Sequence, residues 1–389
     1  MIEVVNEPLV SFNGLHYSVN IETEGNKYKS FQLETNSSEN CNPAISDPAV
    51  FSLESDTVLT VLDSIKSGTG RTNENDLCNN VIVPILSALG VSFQVLKTAS
   101  CNSVGEFAQT IDRNYNHIII IISGDTSISE LLNNLPASDS EARESQLCLL
   151  PLPMGTGNAW ASSLQLKCPI KTFRGFINKR LSPKKFPLYR AIFPNKKSTV
   201  FFIILSLGFH ANLLHLCNDQ RFTSMGVERF QIASKEIFDN YNLTYQIKIP
   251  GIIDAKFSYF AVINTPNLEA YYMPSPSSDP LNSELHVIGY SASLKRDQLL
   301  QRIMKGYSNK PGDSLIDDGV TYEPIDGDFE IIVKDDPSKS PKTTFEICCD
   351  GQLLNLLDLH SAGASSENKI TVKFLKDYSC YNLKVFSPL

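Results

Sequence analysis

The chain has 389 residues, of which 42% are hydrophobic, 20% charged and 9% aromatic, and its formal net charge is −8. This composition is typical of a soluble globular protein, and the length suggests two domains. The apolar runs, such as Ile118 to Ile122, are far shorter than the ~20 residues that span a bilayer, which excludes a transmembrane helix.

The cysteines and the N-terminus indicate a reducing compartment. The nine cysteines form no CxxC pair and have no neighbouring histidine at metal-ligand spacing, so we expect reduced thiols. The N-terminus has neither the basic nor the apolar region of a signal peptide. We therefore expect a cytoplasmic protein.

The charge is unevenly spread along the chain. No Asp or Glu occurs from Ser145 to Asn218, a stretch with ten basic residues: Lys167, Lys171, Arg174, Lys179, Arg180, Lys184, Lys185, Arg190, Lys196 and Lys197. Such a block can attract an anionic membrane surface or a polyphosphate. The alternative is a set of solvated loops whose charges pair with acids elsewhere.

Residues 1–56 form an N-terminal extension that is polar and strand-like in patches. A series of strand, turn and helix then begins at Thr57. The predicted strands are Val58–Leu62, Val91–Leu96, Ile118–Ile122 and Leu147–Leu152, and the predicted helices are 75–89, 103–113, 128–135 and 158–164. The run of five isoleucines is expected of a strand buried on both faces of a parallel sheet. We predict an α/β nucleotide-binding domain over 57–168.

The pattern of residue types changes beyond Cys168. Residues 198–389 alternate β-branched and aromatic residues with Pro, Asn, Gly and Asp turns, and one helical candidate, 226–238, stands out. This pattern predicts a mainly antiparallel β domain over 169–389.

Glycines follow three of the predicted strands: Gly68, Gly70, Gly124, Gly155 and Gly157. Glycine there allows positive φ and lets backbone N–H groups approach an anion. The helices that follow direct their N-terminal dipoles to the same region, at the carboxyl ends of the strands. Each turn alone is ordinary turn chemistry, but three in series favour nucleotide phosphate.

Four polar side chains in these turns have two interpretations each. Asp125 could hold Mg²⁺ or orient an attacking hydroxyl, or it could be an Asx-turn residue at a helix start. Glu130 could act at the site, or it could close a capping box with Ser127. Asn158 and Thr156 could cap their helix or bind ribose or phosphate.

Two segments of the nucleotide-binding domain carry recognisable motifs: Ser123-Gly124-Asp125 with Glu130, and the sequence LPMGTGNA at 152–159. They resemble the SGDG…E and LPxG(S/T)GNA elements of sphingosine (sphingoid long-chain base) kinases, within the lipid kinases of the diacylglycerol-kinase catalytic type. Residues 63–71 are similar to the first nucleotide loop, normally NPxxGxG. Residues 206–212 and 225–230 resemble the segment with lipid-headgroup and phosphate contacts, and 349–352 resembles the late DGE element.

The resemblance implies an α/β domain with a three-layer parallel sheet of the NAD-kinase and diacylglycerol-kinase type, followed by a mainly antiparallel β-sandwich, with MgATP between them. It implies transfer of the γ-phosphoryl to a lipid primary hydroxyl, peripheral contact with an anionic membrane, and no nucleic-acid partner. Asp125 would be the catalytic carboxylate and Asp350 would bind the metal. The nucleotide would be bound by Ser67, Gly68, Thr69, Gly70, Gly124, Thr126, Glu130, Gly155, Thr156, Gly157, Asn158 and Arg229, and the lipid by Gly208, Phe209 and Asn212.

The chain also departs from the family pattern. Thr126 replaces a glycine, and a β-branched residue tolerates positive φ poorly. Gln352 replaces a carboxylate, Asn212 replaces an Asp that pairs with the substrate amine, and Ser64 replaces a proline. These changes raise the alternative of a catalytically impaired homologue that binds nucleotide or lipid as a regulatory protein. An NAD-kinase-like enzyme is a third interpretation, which the GTGN element and the long β-rich second half disfavour.

Overall fold

The computed structural model describes residues 1–25, 27–37, 51–136, 145–222, 225, 228–240, 243–360, 368–376, 378 and 381–388. The chain divides into two compact units, one comprising 1–185 and 378–389 and the other 186–377.

The first unit opens with an antiparallel sheet of three strands, β1 (Ile2–Phe12), β2 (Leu15–Glu24) and β3 (Lys27–Ser37). Its inward-facing side chains, among them Leu9, Val19 and Phe31, belong to one hydrophobic cluster with Leu77 and Ile177 of the α/β part. The N-terminal extension therefore shares the core of the first unit.

The α/β part follows the predicted order of elements. Its elements are β4 (Thr57–Asp63), a π-helical turn (Cys78–Ile82) that continues into α1 (Val83–Ala88), β5 (Gln94–Lys97), α2 (Ser103–Thr110), β6 (Asn116–Ser123), α3 (Asp125–Asn133), β7 (Ser145–Pro153), α4 (Ala159–Ser163), α5 (Pro169–Ile177) and β8 (Ser182–Lys184). The domain boundary expected at 168 falls between α4 and α5, inside the first unit.

The second unit is built on strands, as predicted. Its elements are β9 (Leu188–Ile192), β10 (Ser198–Phe201), β11 (Ile204–Gly208), α6 (Phe209–Cys217), α7 (Glu228–Asp239), β12 (Tyr245–Ile249), β13 (Ile253–Ile263), β14 (Leu285–Ser291), α8 (Arg296–Lys305), β15 (Val320–Ile325), β16 (Phe329–Val333), β17 (Glu346–Cys349), β18 (Gln352–Asn355) and β19 (Asn368–Leu375), with short 3₁₀ turns at Gln220–Phe222, Lys342–Phe345 and Leu356–Leu359. The predicted helix 226–238 corresponds to α7, and its residues 226–227 lie outside the described residues.

The strands of the second unit form one antiparallel sheet of 11 strands in the order β10-β9-β19-β16-β12-β13-β11-β17-β18, with β14 joining β13 to β15. This curled sheet confirms the antiparallel β domain that the sequence predicted. In this unit Phe260, Ile263 and Ile288 are fully buried. Phe260 and Ile263 are three residues apart on β13 and point to opposite faces, so this end of β13 is covered on both faces.

The last strand, β20 (Tyr381–Ser387), returns to the first unit and completes a six-stranded sheet in the order β5-β4-β6-β7-β20-β8. All neighbouring pairs are parallel except β20 with β8. At the centre of this sheet, Ile119 to Ile122 of β6 are each 1% exposed or less, which confirms the doubly covered strand. The helices within the described ranges include none long and apolar enough to cross a membrane.

Candidate functional site

Three turns of the first unit lie at one edge of its parallel sheet. They follow β4, β6 and β7, which are neighbours and run parallel, so their carboxyl ends face the same side, as the sequence predicted. The backbone N–H of Gly124 donates to Ser67 Oγ at 3.0 Å, which joins the first turn directly to the second.

The glycines of these turns are required by close packing of one turn on another. A Cβ on Gly68 would lie 2.6 Å from the carbonyl oxygen of Met154, and a Cβ on Gly155 would lie 2.3 Å from the Cα of Gly124. Gly68 and Gly70 also have positive φ, +66° and +80°, which non-glycine residues rarely adopt. Thr69, between them, is exposed. The three glycine turns therefore form one contiguous backbone surface.

Asp125 is the first residue of α3, and its carboxylate stabilises the start of α4. Oδ2 accepts a hydrogen bond from the backbone N–H of Ala159 at 2.7 Å, and Oδ1 accepts one from Trp160 at 3.0 Å. Burial raises the pKa of this carboxyl, and the two N–H donors oppose the shift. The side chain is thus an N-terminal cap of a neighbouring helix, an arrangement that neither sequence interpretation contained.

Thr126 is exposed and lies in the first turn of α3. Its backbone is helical, and Gly124 before it is extended, with φ −101°. The strain expected of a β-branched residue at positive φ is therefore absent at this described residue. The substitution of the family glycine is accommodated because the helix begins one residue earlier.

Asn158 closes the third turn. Its φ is +54°, a conformation that asparagine tolerates better than most residues. Its Oδ1 accepts from Gly155 N–H at 2.8 Å, and its Nδ2 donates to the Gly155 carbonyl at 2.9 Å. Thr156 is exposed and Gly157 is half-buried between them.

Glu130 lies on the body of α3 and its carboxylate accepts from Gly105 N–H at 3.1 Å, in the first turn of α2. Burial raises its pKa and this N–H donor opposes the shift. The predicted capping box with Ser127 does not form, because α3 begins at Asp125. Glu130 therefore connects two helices.

The sequence did not single out Arg71 as functional. Its Nε donates to Asp63 Oδ1 at 3.1 Å in a pair whose side chains are 6% and 0% exposed. Its terminal nitrogens donate to the carbonyls of Ser67 at 3.3 Å and Ile122 at 3.1 Å. Arg71 thus fixes the first turn against the ends of β4 and β6.

A cleft of about 590 Å³ opens beside the first turn. Gly68, Thr69 and Gly70 line it, together with the cations Lys66, Arg71 and Lys97 and one acid, Asp76; Ile65, Thr72 and Asn73 complete the lining. Lys97 Nζ lies 2.9 Å from Asp76 Oδ2. Lys97 is the last residue of β5. The sequence analysis searched the carboxyl ends of strands for glycine turns, and the same search for charged side chains could have found Lys97.

In the second unit, Gly208 and Phe209 form the junction of β11 and α6. Gly208 has φ +71°, and a Cβ there would lie 2.8 Å from the carbonyl of Ser258. Phe209 is buried and its ring lies 4.9 Å from that of Phe238. Both residues predicted to contact lipid therefore have packing roles.

Asn212 is 6% exposed and all of its polar atoms have partners. Its Nδ2 donates to the Thr343 carbonyl at 2.8 Å and to Glu346 Oε2 at 2.6 Å, and its Oδ1 accepts from the Tyr245 hydroxyl. Burial raises the pKa of Glu346, which also lies 3.8 Å from His215 Nδ1. Position 212 lacks the carboxylate of the family pattern, but the carboxylate of Glu346 lies against the Asn212 side chain.

His210 and Ser206 form a second polar pair. The sequence analysis included them only as part of the motif at 206–212, without a role of their own. His210 Nδ1 lies 2.8 Å from Ser206 Oγ. Burial lowers the pKa of His210 to about 4, so the ring is neutral at pH 7. The buried hydroxyl of Tyr259, whose ring lies 6.2 Å from that of His210, has no hydrogen-bond partner among the described residues.

Asp350 was predicted to bind metal, and its carboxylate accepts three backbone hydrogen bonds. The donors are Phe202, Ile203 and Ile204, at 2.7, 3.1 and 2.8 Å. The residue is 4% exposed. These surroundings fit Mg²⁺ poorly, because Mg²⁺ keeps several of its waters. Gln352 is exposed at the start of β18.

Arg229 was predicted to contact phosphate and lies in the first turn of α7. Its guanidinium stacks 5.0 Å from the ring of Phe230, and its buried Nε has no hydrogen-bond partner within the part of the chain that the structure describes. An anion could satisfy that donor.

The basic block is partly ion-paired. Lys171 and Arg174 of α5 lie 2.9 and 3.6 Å from the carboxylate of Glu7 in β1. Lys179, Lys184 and Lys185 are exposed. None of the seven cysteines that the structure describes is in a disulfide.

The fold and one segment of the chain are similar to those of known proteins. A crystal structure of a diacylglycerol kinase from Bacillus anthracis str. Sterne superposes with a TM-score of 0.55 at 13% sequence identity, over 85% of this chain and 96% of that chain. The fold is therefore that of a diacylglycerol-kinase-like protein, as the sequence predicted. Residues 59–184 match the diacylglycerol kinase catalytic domain.

Two curated relatives match shorter segments. Sphingoid long-chain bases kinase 1 of Arabidopsis thaliana is 30% identical over 111 residues, which are 28% of this chain and 14% of that protein. Sphingosine kinase 2 of Homo sapiens is 30% identical over 87 residues, which are 22% of this chain and 13% of that protein. The matched segments thus span about a seventh of each relative.

Proposed function

We propose that this protein is a lipid kinase that transfers the γ-phosphoryl group of MgATP to the primary hydroxyl of a sphingoid long-chain base or a related lipid. The observation that supports this most is the contiguous glycine-turn surface of the first unit, with its cationic cleft. The similarity to a sphingoid long-chain base kinase and a sphingosine kinase supports the choice of acceptor.

The cleft has the chemistry of a polyphosphate site. Its volume lies within the range of small-molecule sites, about 300–1,000 Å³. Three cations and one carboxylate line it. Arg71 contacts Asp63 and Lys97 contacts Asp76, so Lys66 provides the positive balance for the phosphates. Its walls come from the first turn and its neighbours, so we assign it to the phosphate chain and not to the base or ribose.

The phosphoryl transfer would rest on positioning and charge neutralisation. The acceptor oxygen forms a bond to the γ-phosphorus as the bond to the ADP oxygen breaks, and the hydroxyl proton passes to a base. Asp125 is our candidate to orient that hydroxyl, because each carboxylate oxygen has a second lone pair beyond the one used for α4. Mg²⁺ would neutralise phosphate charge, and we assign it no ligand in Asp350.

The alternative is a protein that binds nucleotide or lipid without turnover. It is supported by the engagement of Asp125 with Ala159 and Trp160, by the saturated hydrogen bonds of Asn212, and by Gln352 in place of a carboxylate. At each of these positions, a carboxylate of the family pattern is either replaced or already engaged in hydrogen bonds.

One assay separates the two functions. Purified protein with Mg²⁺ and labelled ATP should label at least one lipid in a panel of sphingoid bases, ceramides and acylglycerols. ATP affinity, measured by calorimetry, should fall about tenfold in Lys66→Ala and stay unchanged in Lys179→Ala, an exposed lysine of the same unit remote in sequence from the cleft. Bound ATP with no labelled lipid favours the regulatory protein. No ATP binding rejects the kinase and leaves only a regulatory protein that binds lipid.

A further inference from the structure

The carboxylate of Asp63 has an oxygen with no partner in the interior of the first unit. Asp63 ends β4 and is 0% exposed. Oδ1 accepts from Arg71, whereas Oδ2 is buried and has no hydrogen-bond partner among the described residues. Buried acceptors are nearly always satisfied, so an unpaired carboxylate oxygen points to an ion or a water at that position.

Two metal-binding side chains lie beside it. One oxygen each of Asp63 and Asp76 and the Sγ of Cys78 all lie within 4.8 Å of one another. Tetrahedral ligands of one cation are roughly 3.3–3.7 Å apart, given metal–oxygen and metal–sulfur bonds of about 2.0–2.3 Å. A side-chain movement of up to roughly an ångström would therefore bring the three onto one ion.

The local backbone holds these ligands in place. Asp76 accepts the backbone N–H of Asn79 at 2.9 Å, which fixes its carboxylate at the start of the π-helical turn. Cys78, the first residue of that turn, is 0% exposed. Burial and the two neighbouring carboxylates raise the pKa of its thiol to about 12, so the sulfur carries its proton at pH 7 unless a cation replaces it.

Two side-chain cations face the same carboxylates. Arg71 contacts Asp63 and also donates to two backbone carbonyls, so it is fixed. Lys97 contacts Asp76 at 2.9 Å, and its side chain is 35% exposed, so it can turn to solvent. The two pairs are neutral together, and a divalent cation that displaces the thiol proton would add a single positive charge.

We propose that Asp63, Asp76 and Cys78 bind one divalent cation of the thiolate-preferring type, such as Zn²⁺. A buried thiolate selects Zn²⁺ over Mg²⁺ or Ca²⁺, which take oxygen ligands. Binding forms a metal–sulfur bond and releases the Cys78 proton to water. The ion would also bind the Asp76 carboxylate that Lys97 contacts. The ammonium group of Lys97 would then be free within the cleft. The site does not depend on the kinase activity proposed above.

Cobalt titration tests the site on the full-length protein without nucleotide. Co²⁺ should bind one per chain and give the near-ultraviolet charge-transfer absorption of a cobalt–thiolate bond, and Zn²⁺ should displace it. Cys78→Ser should abolish the absorption, whereas Cys101→Ser, at an exposed cysteine of the same unit, should retain it. An absorption that persists in Cys78→Ser, or that never appears in the parent protein, overturns the proposal.

Asp76→Asn provides a second test if Cys78→Ser fails to fold. Its side chain is half-buried, and loss of one ligand should weaken Co²⁺ binding at least about tenfold. Unchanged Co²⁺ affinity in this variant removes Asp76 from the site and overturns the three-ligand proposal. These binding results stand whether or not the protein phosphorylates a lipid.

Discussion

The carboxylate of Asp125 and the backbone N–H of Ala159, 34 residues apart, form a 2.7 Å hydrogen bond that joins the second glycine turn to the third. Capping bonds of this kind contribute about 1 kcal/mol to stability. The same carboxylate is our candidate to orient the acceptor hydroxyl, so its structural and catalytic contributions have to be separated by experiment.

Asp125→Asn should destabilise the first unit by about 1–2 kcal/mol, because an amide can accept only one of the two N–H donors with its single oxygen. If Asp125 orients the acceptor, phosphoryl transfer should also be lost under conditions in which the variant is folded. Urea denaturation and the labelled-ATP assay measure the two effects. Asp56→Asn, which alters a carboxylate that accepts from the Asn116 side chain, is the matched control. Full activity of folded Asp125→Asn would leave Asp125 with its capping role alone.

Gly155→Ala should destabilise the first unit by about 1–3 kcal/mol, since the new Cβ would lie 2.3 Å from the Cα of Gly124. It should also weaken ATP binding by forcing the two turns apart. Gly327→Ala, where a Cβ meets nothing within 4 Å, should change stability little. Thermal unfolding and calorimetry would check both, and an unperturbed Gly155→Ala protein would show that the turns can separate freely.

Arg71→Met should cost about 3–5 kcal/mol, because it leaves the Asp63 carboxylate buried without its partner. The double variant Arg71→Met/Asp63→Asn should recover part of that loss, since the uncompensated charge is then removed. A double-mutant cycle in urea measures the coupling free energy. Additive losses would mean that the pair does not interact as its 3.1 Å contact indicates.

Asn212→Asp should destabilise the second unit near pH 7, because it places a second carboxylate within hydrogen-bond distance of Glu346. Two carboxylates at this distance cannot both ionise easily, so stability relative to the parent protein should recover as the pH falls. The companion change Glu346→Gln should restore stability at neutral pH. Unfolding curves at several pH values would test this, and a variant as stable as the parent protein at pH 7 would contradict it.

The buried His210 predicts a pH dependence of folding. Its pKa falls from 6.5 to about 4 on folding, so the unfolded chain binds the extra proton between these values and stability should decrease as the pH falls from 6.5 towards 4. The contribution is at most about 3 kcal/mol. His210→Gln should reduce this acid-side slope, only in part because burial also lowers the pKa of His117 and His286. A slope that is identical in the variant would show that folding does not lower the pKa of His210.

The sequence alone determined the order of strands and helices in the α/β part and the positions of its three glycine turns. Strand β6 was evident because five consecutive isoleucines leave no polar face, and the antiparallel second half was evident from its alternation. These features depend on residues adjacent in the chain, where periodicity and turn chemistry act locally.

The tertiary structure decided what the polar side chains do. Asp125 and Glu130 stabilise the first turns of other helices, Arg71 fixes β4 to β6, and Glu346 meets Asn212 across 134 residues. Such partners are brought together only when the sheets and helices pack, because a buried donor or acceptor must find its partner wherever the fold places one. The sequence assigned the turn glycines to phosphate binding. The packed structure adds a second explanation for them, because the turns lie too close together to leave room for a Cβ.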